Sequence, residues 1–235
     1  DSEGQLIASV LSKKAAAGST HVVIDIPVGE TAKVRSMEMA QKLKSHMETV
    51  GNSIGLNVKV IITDGTQPVG RGIGPSLEAL DLLSVLKNEK NAPQDLKERA
   101  ILIAGELLEL SGKVEIGSGN ETAKHLLESG KAFKKFLAIC KAQGRYTEPV
   151  LARYKIEIKA EKSGVLTRID NRKIAKLAKL SGAPHSKSAG ILLNTHLGEK
   201  IEENQVLYTL FAESKGELNY ALEYENNHNN ILTIT

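Results

Sequence analysis

Ser9 and Lys13 stand four residues apart, so a helix running through them projects a hydroxyl and an ammonium from one side. Such a pair can hydrogen-bond the carbonyls of a planar ligand. It is also what an ordinary exposed helix face looks like, with Lys13 and Lys14 as two solvated cations. Asp25 lies between Ile24 and Ile26. A carboxylate in so apolar a run must be hydrogen-bonded or line a cleft, because burying it unpaired is costly. The chain leaves that run through Pro27-Val28-Gly29 and reaches Lys33. Open α/β sheets gather ligands at the carboxyl ends of their strands, where Lys33 is placed to meet an anion; as a plain loop lysine it meets water.

Further on, Gly65-Thr-Gln-Pro-Val-Gly70-Arg71-Gly72 nearly spells a phosphate loop. Arg71-Gly72 stands where that loop needs a lysine followed by a serine or threonine, which argues against nucleoside triphosphate chemistry. The spacing of Gly70, Gly72 and Gly74 is not a dinucleotide fingerprint either. These glycines let the backbone come close to something, either a ligand or another segment of the chain. The six histidines, His21, His46, His125, His185, His196 and His228, show no metal-ligand spacing. No nucleophile-elbow serine occurs. Cys140, the single cysteine, excludes an internal disulfide, and its helical setting in FLAICKAQG suits a buried thiol rather than a nucleophile.

Several elements must hold these residues. Residues 3–16 read as a helix with Leu6, Ile7, Val10 and Leu11 on one face, and Gly18 is placed to end it. His21–Ile26 is a β-branched run too apolar on both faces for a sheet edge, which predicts a buried parallel strand. Residues 36–54 form a second helix, with Met37, Met39, Ala40, Leu43, Met47 and Val50 as its apolar positions, and Asn57–Thr63 a second strand. After the glycine loop, Pro75 suits a first helical turn. This alternation is α/β. Residues 93–143 read as almost wholly helical, punctuated at Gly112 and Gly117–Gly119. Beyond about residue 148 the pattern changes to strand-like runs at Tyr154–Ala160, Gly164–Ile169, Gly190–Asn194 and Val206–Phe211, with a short helix at Arg172–Leu180. The tail 226–230 is polar, and Ile231–Thr235 can add an edge strand.

Composition narrows the partners. A chain of 235 residues forms one large domain or two ordinary ones. With three Phe, five Tyr and no Trp, it lacks stacking platforms for single-stranded nucleic acid. A net charge of +3, dispersed among acidic neighbours, describes a solvated mixed-charge surface and not a polyanion-binding one. There is no apolar run of the ~18 residues that span a bilayer and, in this sequence, no charged-then-apolar stretch of secretory type. The expectation is a cytoplasmic protein with neither nucleic acid nor membrane as partner.

Three long stretches carry a resemblance: ASVLSKKAAAGSTHVVIDIPVGETAKV, TDGTQPVGRGIGPSLEALDLL and LESGKAFKKFLAICKAQG. They resemble the thymidine/pyrimidine nucleoside phosphorylase family, closest to its type 2 branch with the archaeal AMP phosphorylases, and the similarity covers essentially the whole chain. The resemblance implies reversible phosphorolysis, a pentosyl transfer in which inorganic phosphate attacks the anomeric carbon and the base leaves, without metal or other cofactor. It implies Asp1 as proton donor, Ser9 and Lys13 as contacts to the base, and Lys33 as a nucleotide contact. In mainstream members the strand around Asp25 reads D-V-K-V-G-S-G. Here it reads D-I-P-V-G-E-T, with Pro27 replacing the lysine, so both a nucleoside and AMP stand as substrates.

The family's upstream half, with its phosphate loop, has no counterpart in this sequence. The chain is therefore expected to be a C-terminal portion, inactive alone and completed by that half in a homodimer. The implied fold is α/β: one helix of a helical dimerisation lobe over residues 1–17, an α/β lobe with a mostly parallel sheet over 18–148, and a smaller C-terminal α+β domain over 149–235. Without its companion half, the first helix is expected to expose Leu6 and Val10. A reading of another class is a non-catalytic assembly or binding module. Residues 188–207 have the glycine-and-strand rhythm of biotinyl-like hammerhead domains, but no Met-Lys-Met carrier lysine.

Overall fold

A computed structural model describes residues 3–228 and 230–235. In chain order its elements are α1 (Glu3–Ala16), β1 (His21–Val28), α2 (Met37–Ser53), β2 (Asn57–Asp64), β3 (Gly72–Ile73), α3 (Pro75–Leu86), α4 (Gln94–Leu110), α5 (Gly119–Glu128), α6 (Lys131–Gln143), β4 (Tyr154–Lys159), β5 (Gly164–Ile169), α7 (Asn171–Leu180), β6 (Gly190–Leu193), β7 (Lys200–Ile201), β8 (Val206–Ala212), α8 (Lys215–Asn226) and β9 (Leu232–Ile234). They form two compact units, Asp1–Gly65 with Glu98–Ser129, and Thr66–Lys97 with Gly130–Thr235. This division is not the sequential one at residues 17 and 148, because the glycine loop and α3 fold with the C-terminal elements.

In the first unit, Ile7 and Leu11 recur at helical spacing on α1 and are buried in one core with Val22, Ile26, Leu43, Met47 and Val60. Leu6 and Val10 pack against that core. The expectation that this helix presents an unpartnered apolar face is corrected: β1, β2 and α2 supply the partner. Gly18, left-handed at φ 73, ends α1 with its N–H on the Ala15 carbonyl and that of Ser19 on Lys14. Ser36 caps α2 by accepting from the Met39 N–H. The buried stripe of α2 is Ala40, Leu43, Met47 and Gly51. Met37, Met39 and Val50 are instead exposed, lying off that stripe. At Gly51 an added Cβ would stand 2.3 Å from the Val58 Cγ2, so only glycine lets α2 press this closely on β2.

Strands β1 and β2 pair in parallel over eight residues each, His21 opposite Asn57 through Val28 opposite Asp64. Among the described residues they form a two-stranded sheet. Val22 and Ile26 of β1 are buried, while Val23, Ile24 and Asp25 are only half-buried. The parallel pairing agrees with the apolar run; the expected full burial does not, because each strand has a neighbour on one side alone.

The second unit is antiparallel. Strands β3-β6-β8-β4 form one sheet and β7-β5-β9 another. Their apolar faces enclose Leu166, Ile169, Ile174, Leu177, Ile191 and Leu210. Gly190 sits at φ 146 with the Ile73 carbonyl oxygen 2.1 Å from where a Cβ would be, which is what lets β3 lie on β6. Asp170 opens α7 by accepting from the Arg172 and Lys173 N–H groups. Helix α8 begins with a capping box between Ser214 and Glu217. On α6 no residue is buried and Cys140 is half-buried, which corrects the expected buried thiol.

Within this unit the Tyr208 hydroxyl, on a side chain only 2% exposed, donates to Glu225 at 3.3 Å. Burial pushes the Glu225 carboxyl above the usual range; the Tyr208 bond opposes that and the nearby Glu161 charge adds to it. The folded state thus holds this proton more tightly than the unfolded chain, so its contribution is present below the unfolded pKa and lost as pH rises through the folded one. Glu225→Gln keeps an acceptor for Tyr208 and removes the charge. The variant is expected to melt higher than the parent at pH 7 and level with it near pH ~4, in thermal scans followed by circular dichroism. A variant less stable than the parent at pH 7 would contradict this account.

Candidate functional site

The carboxyl ends of β1 and β2 are tied together by the carboxylate that the sequence singled out. Asp25 Oδ1 accepts from the Thr63 hydroxyl at 2.5 Å, and its Oδ2 accepts from Arg99 Nη1 at 2.9 Å. The second guanidinium nitrogen of Arg99 donates to the Asp64 carbonyl at 2.8 Å. Asp25 is therefore satisfied within the fold, and its role is to fix the strand ends. Arg99 lies on α4, seventy-four residues away in the chain, and no local pattern links it to Asp25. Gly65 follows β2 with its N–H on the Val28 carbonyl, and a Cβ there would meet the Pro27 Cβ at 2.8 Å.

From Val28 the chain makes a tight excursion. The Ala32 N–H bonds the Gly29 carbonyl, the Gly29 N–H bonds Val34, and Val34 bridges back to Val28 in parallel. Lys33 is carried by this closed loop. It lines a cavity of about 310 Å³ together with Gln5, Leu6 and Ser9 of α1. Two residues chosen independently from the sequence, Ser9 and Lys33, thus face one space. Lys13 lies outside that lining. At 3.6 residues per turn, each four-residue step advances the helix about 40° past a full turn, so two steps carry Lys13 away from the face that Gln5 presents. Asp1 lies outside the described residues. Gln5 was not singled out in the sequence, although its position one turn before Ser9 was the available signal.

A neighbouring cavity of about 550 Å³ shares Leu6 and Lys33, and its other polar lining is Glu3, Ser36, Glu38 and Lys42. Glu3 bridges α1 to α2 through Lys42 at 3.1 Å and through a close contact with His46 Nδ1. The Lys42 ammonium beside it, with His46, holds the Glu3 carboxyl below its usual range. Leu6 and Lys33 line both cavities.

The glycine loop is occupied by the protein itself. Asp81, 5% exposed, accepts from the Arg71 and Gly72 N–H groups at 2.6 and 2.7 Å and from the Arg71 guanidinium at 3.3 Å. Asp95 accepts from the Gly70 N–H at 2.8 Å. A cradle for phosphate needs those amides free, and here carboxylates hold them; the glycines serve close packing. Among the described residues no group of three or more His, Cys, Asp or Glu is placed to hold a metal ion, and no helix is long and apolar enough to cross a membrane.

Residues 165–231 match the family model for the pyrimidine nucleoside phosphorylase C-terminal domain. Over 223 residues the chain is 60% identical to a protein named "Putative thymidine phosphorylase" from Legionella pneumophila (strain Corby), covering 95% of this chain and 43% of that protein. A protein of the same name from Hahella chejuensis is 53% identical over 234 residues, covering 100% of this chain and 46% of its own length. One from Maricaulis maris is 54% identical over 224 residues. The chain thus spans somewhat less than half the length of these curated relatives.

Proposed function

We propose that this chain, which belongs to the thymidine/pyrimidine nucleoside phosphorylase family and corresponds to its C-terminal portion, supplies the base- and nucleotide-binding side of a phosphorolysis site. The observation that carries the reading is the shared lining of one cavity by Ser9 of α1 and Lys33 of the loop after β1. In phosphorolysis an oxygen of inorganic phosphate bonds the anomeric carbon as the bond to the base nitrogen breaks, and the bonding pair leaves with the base. Donors aimed at the departing base stabilise that developing charge. Ser9 has this role in the proposal; Lys13, outside the cavity lining, is assigned to the base by the resemblance alone, and Asp1 delivers the proton to the leaving nitrogen. Lys33 meets an oxyanion by a charge-assisted bond. The attacking phosphate is the co-substrate, and neither metal nor organic cofactor enters. Its clamp, by resemblance, lies in the part of the relatives that this chain does not cover, and the assembled enzyme is a cytoplasmic homodimer in nucleoside and nucleotide salvage.

Nucleosides such as thymidine are the first substrates under this reading. AMP is favoured as a second by one observation, that Lys33 lines the cavity of Ser9 and the larger one beside it, so that an ammonium suited to a phosphate oxygen borders the space given to the base. The test is release of free base from thymidine, uridine and AMP, with and without orthophosphate, by this chain alone and by the full-length Legionella relative. The expected result is phosphate-dependent cleavage by the longer protein and ligand binding without turnover by this chain. Equal turnover by both would reject the division of labour. Absence of binding by this chain would reject the site.

A further inference from the structure

We infer that Gln5 reads the edge of the base. The inference rests on the phosphorylase reading of the α1 cavity and extends it to a residue that nothing else assigns. Among the described residues, four line that cavity of about 310 Å³, a size within the range of small-molecule sites. Leu6 offers an apolar surface. Lys33 has donors alone, and the Ser9 hydroxyl rotates to suit either role. Gln5 brings a planar carboxamide, in which an acceptor and two donors stand side by side in fixed geometry. It is exposed on α1, one turn before Ser9, so both project to the same side with about 6 Å of rise between them.

A carboxamide edge is complementary to a heterocycle that carries a hydrogen-bond donor beside an acceptor. Glutamine pairs in this bidentate way with the amino group and ring nitrogen of adenine in DNA. Turned over, the same amide meets the oxo group and ring N–H of a uracil-type base. The ligand class is therefore a base with an adjacent donor and acceptor on one edge, whether 6-aminopurine or 4-oxopyrimidine. Gln5 engages both atoms of that edge, Ser9 adds a contact one turn along, and Lys33 holds the charged end. A base lacking the exocyclic group leaves half of the amide unpaired, and sites built on such pairs discriminate strongly against the incomplete analogue.

The test is a cycle between ligand and protein, read as dissociation constants of the 235-residue chain by calorimetric titration. One pair of probes is AMP and purine riboside 5′-monophosphate, which lacks the amino group. The other is UMP and pyrimidin-2-one riboside 5′-monophosphate, which lacks the 4-oxo group and, with it, the proton on the neighbouring ring nitrogen. Every probe carries the same phosphate, so the Lys33 contribution cancels. In the parent, loss of the exocyclic group is expected to weaken binding about tenfold in one pair, and that pair identifies the base. In Gln5→Leu, and in Gln5→Ala as a second variant, the difference is expected to vanish while the stripped analogue binds as before. Retention of the parent's discrimination by both variants overturns the role of Gln5 and leaves the phosphorylase reading standing. Failure of the parent to bind any of the four probes removes the nucleotide site itself, and this inference with it.

Discussion

Lys33→Ala is expected to weaken binding of AMP about 10- to 100-fold while leaving adenosine and thymidine within about twofold, since a hydrogen bond to a charged group contributes ~1.5–3 kcal/mol. The asymmetry follows from what the ammonium can do. It has three donors and no acceptor, so it suits a phosphate oxygen far better than a base edge. Its place in the loop is held by backbone bonds, the Val28–Val34 bridge and the Gly29 N–H to Val34 bond, which the substitution does not remove. Lys33→Arg keeps the charge but exchanges a compact ammonium for a wider fork, and should recover part of the lost affinity. Raising ionic strength from ~0.01 to ~0.15 M should weaken AMP binding by the parent more than by the alanine variant, because screening acts on the charge pair. Titrations of AMP against adenosine read all of this. Equal losses for nucleotide and nucleoside would reject Lys33 as a phosphate contact and place it on the base or in the fold.

Much of the architecture was legible because local signals agreed. The Ile7–Leu11 spacing, the left-handed Gly18 and the β-branched run after it mark α1 and β1 within a few residues of where they lie. Pro75 at the head of α3 and the glycine punctuation between α4 and α5 were equally local. Helix α8 escaped although its capping box, Ser214-Lys-Gly-Glu217, stands in the sequence, because the helix behind it is amphipathic only weakly and ends in asparagines. Among the candidate site residues, the two that line one cavity stood out in the sequence, Ser9 through helical spacing and Lys33 through its place after a strand. What local pattern could not carry was pairing across the chain. The role of Asp25 depends on Thr63 and Arg99, and that of the glycine loop on Asp81 and Asp95. A carboxylate in an apolar strand and a glycine-rich turn each admit a binding and a structural reading until the partner is seen. In both cases the partner turned out to belong to the protein.

The strongest consequence of that pairing concerns Asp81. Asp81→Ala is expected to lower the unfolding free energy by about 3–5 kcal/mol, the cost of breaking a buried charge pair from one side. The value should fall toward the lower end, because the Arg71 side chain is still 32% exposed and water can reach part of it. The loss exceeds that of one hydrogen bond because two backbone donors, those of Arg71 and Gly72, lose their acceptor together. Among the described residues, Asp81 is the carboxylate on those two amides, whereas Asp95 serves the neighbouring Gly70. Asp95→Ala, which takes the acceptor from the Gly70 N–H and from that of Leu96 but breaks no charge pair with Arg71, should cost about 1–2 kcal/mol. Asp81→Asn retains an acceptor of the same shape and should fall between the two. Urea unfolding measures the three differences, and amide exchange locates them, with protection lost first at Arg71, Gly72 and the β3–β6 pairing of Gly72 with Leu192. The same variant separates packing from ligand binding in the glycine loop. If the loop's amides exist to hold β3 against β6, Asp81→Ala loses stability and orthophosphate does not restore it. If they form a latent anion cradle, removing the resident carboxylate opens it, and millimolar orthophosphate raises the melting temperature of the variant but not of the parent.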